Sequence, residues 1–118
     1  MSRALITVVE TPQFLRKASA IFQDEEQAAL VAFLAANPEA GRVIPETGGL
    51  RKLRWAAKGK GKREGARIIY YFHNESMPIF LLSAYTKSEK ADLATAERNA
   101  VKKLVPELIR EYARRSVQ

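Results

Sequence analysis

The residues best suited to chemistry in this chain are basic, and they are concentrated in one stretch. From Leu50 to Arg67 there are eight Lys or Arg residues and one acidic residue, Glu64, which together give a net charge of +7. The whole chain also has a net charge of +7, so the rest of it is neutral in sum. Such a local excess of positive charge indicates a polyanionic partner, either nucleic acid or an acidic protein segment.

Three of these cations are expected on neighbouring strands rather than in a loop. In the segment LRKLRW, Lys52 and Arg54 alternate with Leu53 and Trp55, so the two basic side chains face away from the two apolar ones. Leu53 and Trp55 are expected to be buried against helices, and Arg67 begins the next strand. Like charges on adjacent strands cost stability unless an anion neutralises them, and phosphate is the natural candidate.

The other cations of the stretch lie in KGKGKREG, residues 58–65, which is interpreted as a hairpin connection. Its three lysines, called the loop lysines below, are Lys58, Lys60 and Lys62. A Lys- and Gly-rich loop is often only a solvated tip that prevents edge-to-edge aggregation. Alternatively, its glycines let the backbone approach a phosphate closely.

Several other kinds of site are poorly supported. His73 is the only histidine, which excludes a ribonuclease of the two-histidine type, and there is no cysteine for a thiolate nucleophile or metal site. Glu89 and Asp92 are three residues apart and would lie on the same face of a helix. Acids at this spacing beside lysines, however, usually form a solvated ion-pair surface. We therefore expect neither a metal nor a cofactor.

The pattern of elements predicts an α+β domain, with residues 1–118 forming one unit. Strands are expected over residues 6–10, 50–57, 67–73 and 79–85, and helices over residues 12–22, 24–37 and 93–112. The order β-α-α-β-β-β-α implies a small antiparallel sheet with helices packed on one face. The nearly continuous apolar runs of the last two strands suggest that these strands are covered on both faces. Pro106 is expected to kink or restart the last helix.

The apolar stretches are too short to cross a bilayer, and the N-terminal one is too short for a signal peptide. The expectation is a cytoplasmic protein with no membrane partner.

Two segments carry a resemblance to a known family. They are GGLRKLRWAAKGKGKREGARIIYYFHN, residues 48–74, and IFLLSAYTKSEKADL, residues 79–93. The motifs GLRKLRWA, GARIIYY and YxKxEKxDL together resemble the RelE/HigB superfamily of toxins from bacterial type II toxin–antitoxin pairs, and most closely its HigB-like branch. The resemblance implies a ribosome-dependent mRNA interferase that cuts mRNA in the ribosomal A site. It also implies a cognate antitoxin, commonly a helix-turn-helix DNA-binding protein in that branch.

The resemblance assigns catalytic roles to basic residues and a tyrosine. Lys52, Arg54 and Arg67 match basic catalytic positions of RelE-like toxins. A lysine among other cations loses its proton more readily, so Lys52, with Arg51, Arg54 and Arg67 as neighbours, is expected to act as a base. Arg54 and Arg67 suit clamping of the scissile phosphate while the 2′-OH attacks it.

The catalytic tyrosine is the point at which the match fails. RelE has one after its last strand, and the corresponding place here is near Ala94. Tyr85, at the end of the last strand, is the best substitute, and Tyr70 and Tyr71 are the others. The remaining cations are expected to bind the ribosome and its RNA: Arg51, Lys58, Lys60, Lys62, Arg63, Lys87 and Lys90.

A different class of function stays open. A non-catalytic module of the same fold would use strand aromatics and basic neighbours to bind RNA or an acidic or helix-turn-helix protein. What favours the enzyme is the mid-strand placement of the cations, where their geometry is held rigidly. A purely structural protein that pairs through its last helix would leave the charge asymmetry unexplained.

Overall fold

The computed structural model describes residues 4–57, 65–87 and 93–116. Their elements, in chain order, are β1 (Val8–Glu10), α1 (Pro12–Ile21), α2 (Asp24–Ala36), β2 (Arg42–Val43), β3 (Leu50–Trp55), β4 (Ala66–Tyr71), β5 (Ile79–Thr86) and α3 (Thr95–Ser116). The predicted α+β class is confirmed, and every predicted helix and strand is present.

The five strands form one mixed sheet in the order β1-β5-β4-β3-β2. Strands β2 to β5 are an antiparallel meander, whereas β1 pairs with β5 in parallel. The prediction of an antiparallel sheet therefore holds for β2 to β5 but not for β1. Two helices and the strands β2 to β4 lie between β1 and β5 in sequence, and this is more than enough chain for a parallel pair.

The start of α1 is determined by Thr11 and Pro12, as the sequence predicts. The Thr11 hydroxyl accepts a hydrogen bond from the Phe14 amide at 3.3 Å and donates one to the Leu81 carbonyl at 2.7 Å. Pro12 occupies the first turn, where a missing amide hydrogen costs nothing. The cap thus both starts the helix and fixes it to the central strand β5.

The first face of the sheet packs against α1 and α2. Phe14, Ala18 and Ile21 of α1 and Leu30 and Leu34 of α2 are buried there. They meet sheet residues that include Ile68, Tyr70 and Leu81, with Leu53 and Trp55 packed at the margin. The predicted orientation of Leu53 and Trp55 is confirmed, although both are half-buried rather than fully buried.

The second face packs against α3, which corrects the expectation that all helices lie on one face. Buried residues of this face include Leu50, Ile69, Phe80 and Leu82, and Val105 of α3 is buried with them. The six residues of β4 are all buried, in agreement with the prediction that central strands are covered on both faces. Helix α3 runs through Pro106 without a break and does not restart there.

Candidate functional site

The four predicted catalytic residues share one face of the sheet. Arg54 pairs with Arg67 across β3 and β4, and Arg67 pairs with Tyr85 across β4 and β5. Directly paired residues of antiparallel strands point to the same side, so these three side chains form one row across three strands. Lys52 lies two residues from Arg54 on β3 and therefore on the same face. This face is the one on which α3 packs.

The four residues differ sharply in their accessibility. Arg54 is exposed and Lys52 is half-buried. Arg67 keeps 7% of its surface exposed and Tyr85 only 1%. An Arg67 guanidinium nitrogen (Nη1) donates a long hydrogen bond of 3.4 Å to the carbonyl of Ala66. In the isolated chain, solvent and ligands therefore reach the β3 end of the row more readily than its β4 and β5 end.

Arg51 is not brought together with Lys52. Successive side chains of a strand point to opposite faces, and Arg51 pairs with Tyr70 on the α1–α2 face. Its guanidinium donates hydrogen bonds to the carbonyls of Gly41 at 2.8 Å and Glu39 at 3.2 Å. It also lies 3.7 Å from the exposed Glu39 carboxylate. Arg51 thus holds the loop before β2, and the expectation that it crowds Lys52 overlooked the strand alternation.

Tyr70, one of the two alternative tyrosines, is a structural residue on the opposite face. Its hydroxyl donates to the Pro38 carbonyl and accepts from the Gly41 amide, both at 2.8 Å. Burial raises the pKa of Tyr70, partly offset by the Gly41 hydrogen bond and by Arg51. A hydroxyl with both hydrogen-bonding functions occupied inside the core is unsuited to a reacting phosphate.

Tyr71 is on the same face as Lys52 but at the other end of β4. It pairs with Leu50, four residues along the strand from Arg67, which corresponds to about 13 Å. Its hydroxyl lies 3.2 Å from the Nδ1 atom of His73, and burial raises its pKa. Of the three candidate tyrosines, Tyr85 is thus the one in a row with the arginines.

Lys87 lies at the same end of the sheet as the row. It follows β5 directly, is exposed, and its amide donates to the carbonyl of Gly65 at 3.2 Å. Gly65 precedes β4 and ends the hairpin connection from β3. The other predicted binding residues, which are the loop lysines, Arg63 and Lys90, lie outside the described residues, as do Glu89 and Asp92.

Arg42 is a basic residue of this face that sequence analysis missed. It lies on β2, a two-residue strand within a segment interpreted as a loop, and it pairs directly with Lys52. The signal for a strand was the β-branched pair that follows it, Val43 and Ile44, ahead of Pro45. We define the basic cluster as Arg42, Lys52, Arg54 and Arg67.

The part of the chain that the structure describes offers no metal site beside the basic cluster. Within the described ranges, no group of three or more His, Cys, Asp or Glu residues could hold a metal ion. A shallow groove of about 440 Å³ lies elsewhere, between β1 and α2, and its polar lining is formed by Glu10, Asp24 and Gln27. In the same described residues, no helix is long and apolar enough to cross a membrane.

A family model and a solved structure show which proteins this chain is similar to. The family model for the RelE toxin of the RelE/RelB toxin–antitoxin system matches residues 39–115, about two-thirds of the chain. The fold is similar to that of a free-state mutant of the E. coli toxin RelE that carries two arginine-to-alanine substitutions. That match has a TM-score of 0.53 and 13% sequence identity, and it covers 74% of this chain and 88% of the other. Neither match distinguishes the HigB-like branch, which stays a prediction. The chain therefore belongs to the RelE toxin family and is a toxin of the mRNA interferase kind from a toxin–antitoxin system.

Proposed function

We propose that this toxin is a ribosome-dependent endoribonuclease that cuts mRNA in the A site and is inhibited by a cognate antitoxin. The observation that carries the proposal is the row formed by Arg54, Arg67 and Tyr85, with Lys52 on the same face. Strands hold these groups rigidly, which suits a site that must stabilise charge as it develops. Activity on ribosomes implies a cytoplasmic protein.

The chemistry that fits these residues is attack of a ribose 2′-OH on the adjacent phosphate. This reaction needs a base, an acid and cations for the additional negative charge. Lys52 takes the proton of the 2′-OH as the bond from the 2′-oxygen to phosphorus forms and the bond from phosphorus to the 5′-oxygen breaks, which leaves a 2′,3′-cyclic phosphate. Water donates the proton that the departing 5′-oxygen takes up, and Arg54 and Arg67 brace the phosphate oxygens. Tyr85 contacts the reacting nucleotide from the end of the row. No metal ion takes part, since lysine and arginine provide the positive charge.

Ribosome binding is assigned to the remaining predicted cations. Lys87 is exposed beside the start of β4, and the loop lysines, Arg63 and Lys90 belong to the two segments that adjoin this end of the sheet in sequence. Their phosphate contacts add affinity that decreases with salt. The antitoxin is proposed to be a helix-turn-helix protein.

The test is cleavage by purified toxin on ribosomes programmed with a defined mRNA. We expect one cut in the A-site codon, and no cut when a 2′-deoxynucleotide replaces the ribose that precedes the scissile phosphate. EDTA cannot be used to test metal dependence here because ribosomes require magnesium, so bound metal is measured in the free toxin. Cleavage of the 2′-deoxy substrate would contradict the mechanism, and absence of any cleavage would contradict the function.

A non-catalytic RNA-binding module is the second candidate, and one observation favours it. Arg67 and Tyr85 expose 7% and 1% of their surface, so the free chain presents little of either to a phosphate. Induced expression in bacteria separates the two functions. Growth arrest with mRNA cut inside translated frames supports the endoribonuclease, whereas ribosome binding without cuts supports the module.

A further inference from the structure

The edge strand β2 adds a fourth cation to the catalytic face. Arg42 is exposed and pairs directly with Lys52, so both side chains point to the face that carries Arg54 and Arg67. The basic cluster therefore extends from β4 across β3 to the edge of the sheet. The motif LRKLRW alone does not predict a cation at that edge.

The cluster contains two directly opposed pairs of like charge, Arg42 with Lys52 and Arg54 with Arg67. Like charges directly opposite each other destabilise a sheet. An anion bound across the cluster would offset this repulsion.

The position of Arg42 is fixed by the loop that precedes it. Tyr70 and Arg51 together bond the backbone of Pro38, Glu39 and Gly41. A Cβ atom at Gly41 would lie 2.8 Å from the Tyr70 ring, so glycine is required for this close approach. After β2, the Ile44 amide donates to the Leu50 carbonyl at 2.7 Å. The strand that carries Arg42 is thus anchored at both ends.

We propose that Arg42 binds an mRNA phosphate next to the scissile one, and this inference rests on the proposed function. Lys52 is separated from Arg42 by one strand spacing, about 4.8 Å, and from Arg54 by two residues, about 6.6 Å. An RNA strand whose scissile phosphate lies at Lys52 and Arg54 therefore passes Arg42 as it leaves the sheet at the β2 edge. Arg42 has no role in the chemical step.

The test compares Arg42→Ala with a charge-matched control, Arg16→Ala. Arg16 is exposed on α1, on the opposite face of the sheet, and its replacement changes the net charge equally. Single-turnover cleavage and equilibrium binding are measured on programmed ribosomes over a range of salt concentrations. For Arg42→Ala we expect a half-saturating concentration raised about tenfold, with an unchanged rate at saturation. The slope of log affinity against log salt should fall by about 0.7 to 1, the effect of one phosphate contact.

Further measurements distinguish a phosphate of the mRNA from a phosphate of ribosomal RNA. On vacant ribosomes, which lack mRNA, Arg42→Ala should bind like Arg16→Ala, and Arg42→Lys should restore most of the lost salt slope on programmed ribosomes. If Arg42→Ala lost the same salt slope on vacant ribosomes, Arg42 would bind ribosomal RNA and not mRNA. If Arg42→Ala behaved like Arg16→Ala in every measurement, Arg42 would have no role in RNA binding. Either result overturns the proposal.

The outcome stays distinct from that of the proposed function. If the unmodified toxin cleaves nothing, the proposed function fails, while equilibrium binding to programmed and vacant ribosomes still decides the role of Arg42. If Arg42→Ala fails to fold, Arg42→Gln takes its place beside Arg42→Lys. Arg42 also lies on an edge strand, where a cation can prevent pairing with another chain, so the variants are checked for aggregation.

Discussion

Replacing Arg67 by methionine should abolish cleavage while leaving the fold and ribosome binding nearly intact. Arg67 occupies the centre of the row, between Arg54 and Tyr85. In the proposed mechanism its guanidinium acts on charge that develops in the transition state, so its removal should lower the saturated rate more than affinity. Loss of one comparable preorganised donor lowers rates by roughly 10² to 10³-fold.

The burial of Arg67 determines which substitution to use. From the sequence alone we would expect Arg67→Ala to keep or slightly raise stability, because one of several clustered cations is removed. The side chain is only 7% exposed, however, so alanine also removes two buried methylenes, which contribute about 1.6 kcal/mol. Relief of repulsion with Arg54 offsets part of this loss. We expect Arg67→Ala to unfold at a temperature roughly 4 °C lower, whereas methionine keeps the aliphatic stem and most of the stability.

The measurements are single-turnover cleavage on programmed ribosomes, equilibrium ribosome binding and thermal unfolding of both variants. Arg16→Met is the matched control, since it removes one exposed cation from the opposite face. Full cleavage by a folded Arg67→Met toxin would refute the catalytic interpretation and reduce the basic cluster to a binding surface. Failure of Arg67→Met to fold would make Arg67 a structural residue.

Three further predictions concern the core, the loop and the acidic pair. Tyr70→Phe should lower the free energy of unfolding by about 1 to 3 kcal/mol in denaturant titrations, because it leaves the Gly41 amide and the Pro38 carbonyl without their shared partner. Burial raises the folded-state pKa of Tyr70, so the neutral hydroxyl stabilises the fold fully below the unfolded pKa of about 10, and this stabilisation decreases as the pH rises further. Between pH 8 and 11, the free energy of unfolding should therefore decline less steeply in Tyr70→Phe than in the unmodified protein. Alanine at all three loop lysines should weaken ribosome binding and flatten its salt dependence, while the cleavage rate of the bound toxin should not change. An unchanged salt dependence would mean that the loop is only a solvated tip. Alanine at both Glu89 and Asp92 should leave cleavage intact. Loss of cleavage in a double variant that still folds and binds ribosomes would indicate that a metal ion takes part.

Much of the fold could be predicted because its signals are local. Thr11 and Pro12 start α1 through a cap that needs only neighbouring residues. The apolar runs of β4 and β5 indicated strands covered on both faces, which α1 and α2 alone cannot provide. The second cover is α3, and its assignment to the same face as the other helices was wrong. The position of a helix in three dimensions depends on contacts far apart in sequence.

Part of the candidate site could also be predicted from local sequence. The alternation in LRKLRW alone places Lys52 and Arg54 on one face and Leu53 and Trp55 on the other, because the period of a strand is two. The same rule puts Arg51 on the opposite face from Lys52. The motifs were likewise sufficient to identify the family that residues 39–115 match.

Only the tertiary structure decided which residues lie across from these. The register of β3, β4 and β5 places Arg54, Arg67 and Tyr85 in one row, and the pairing of β2 adds Arg42 opposite Lys52. The burial of Arg67 and Tyr85 also depends on the packed sheet around them. Register and burial arise from strand pairing and helix packing between distant segments, and the local sequence of one strand does not encode its neighbour.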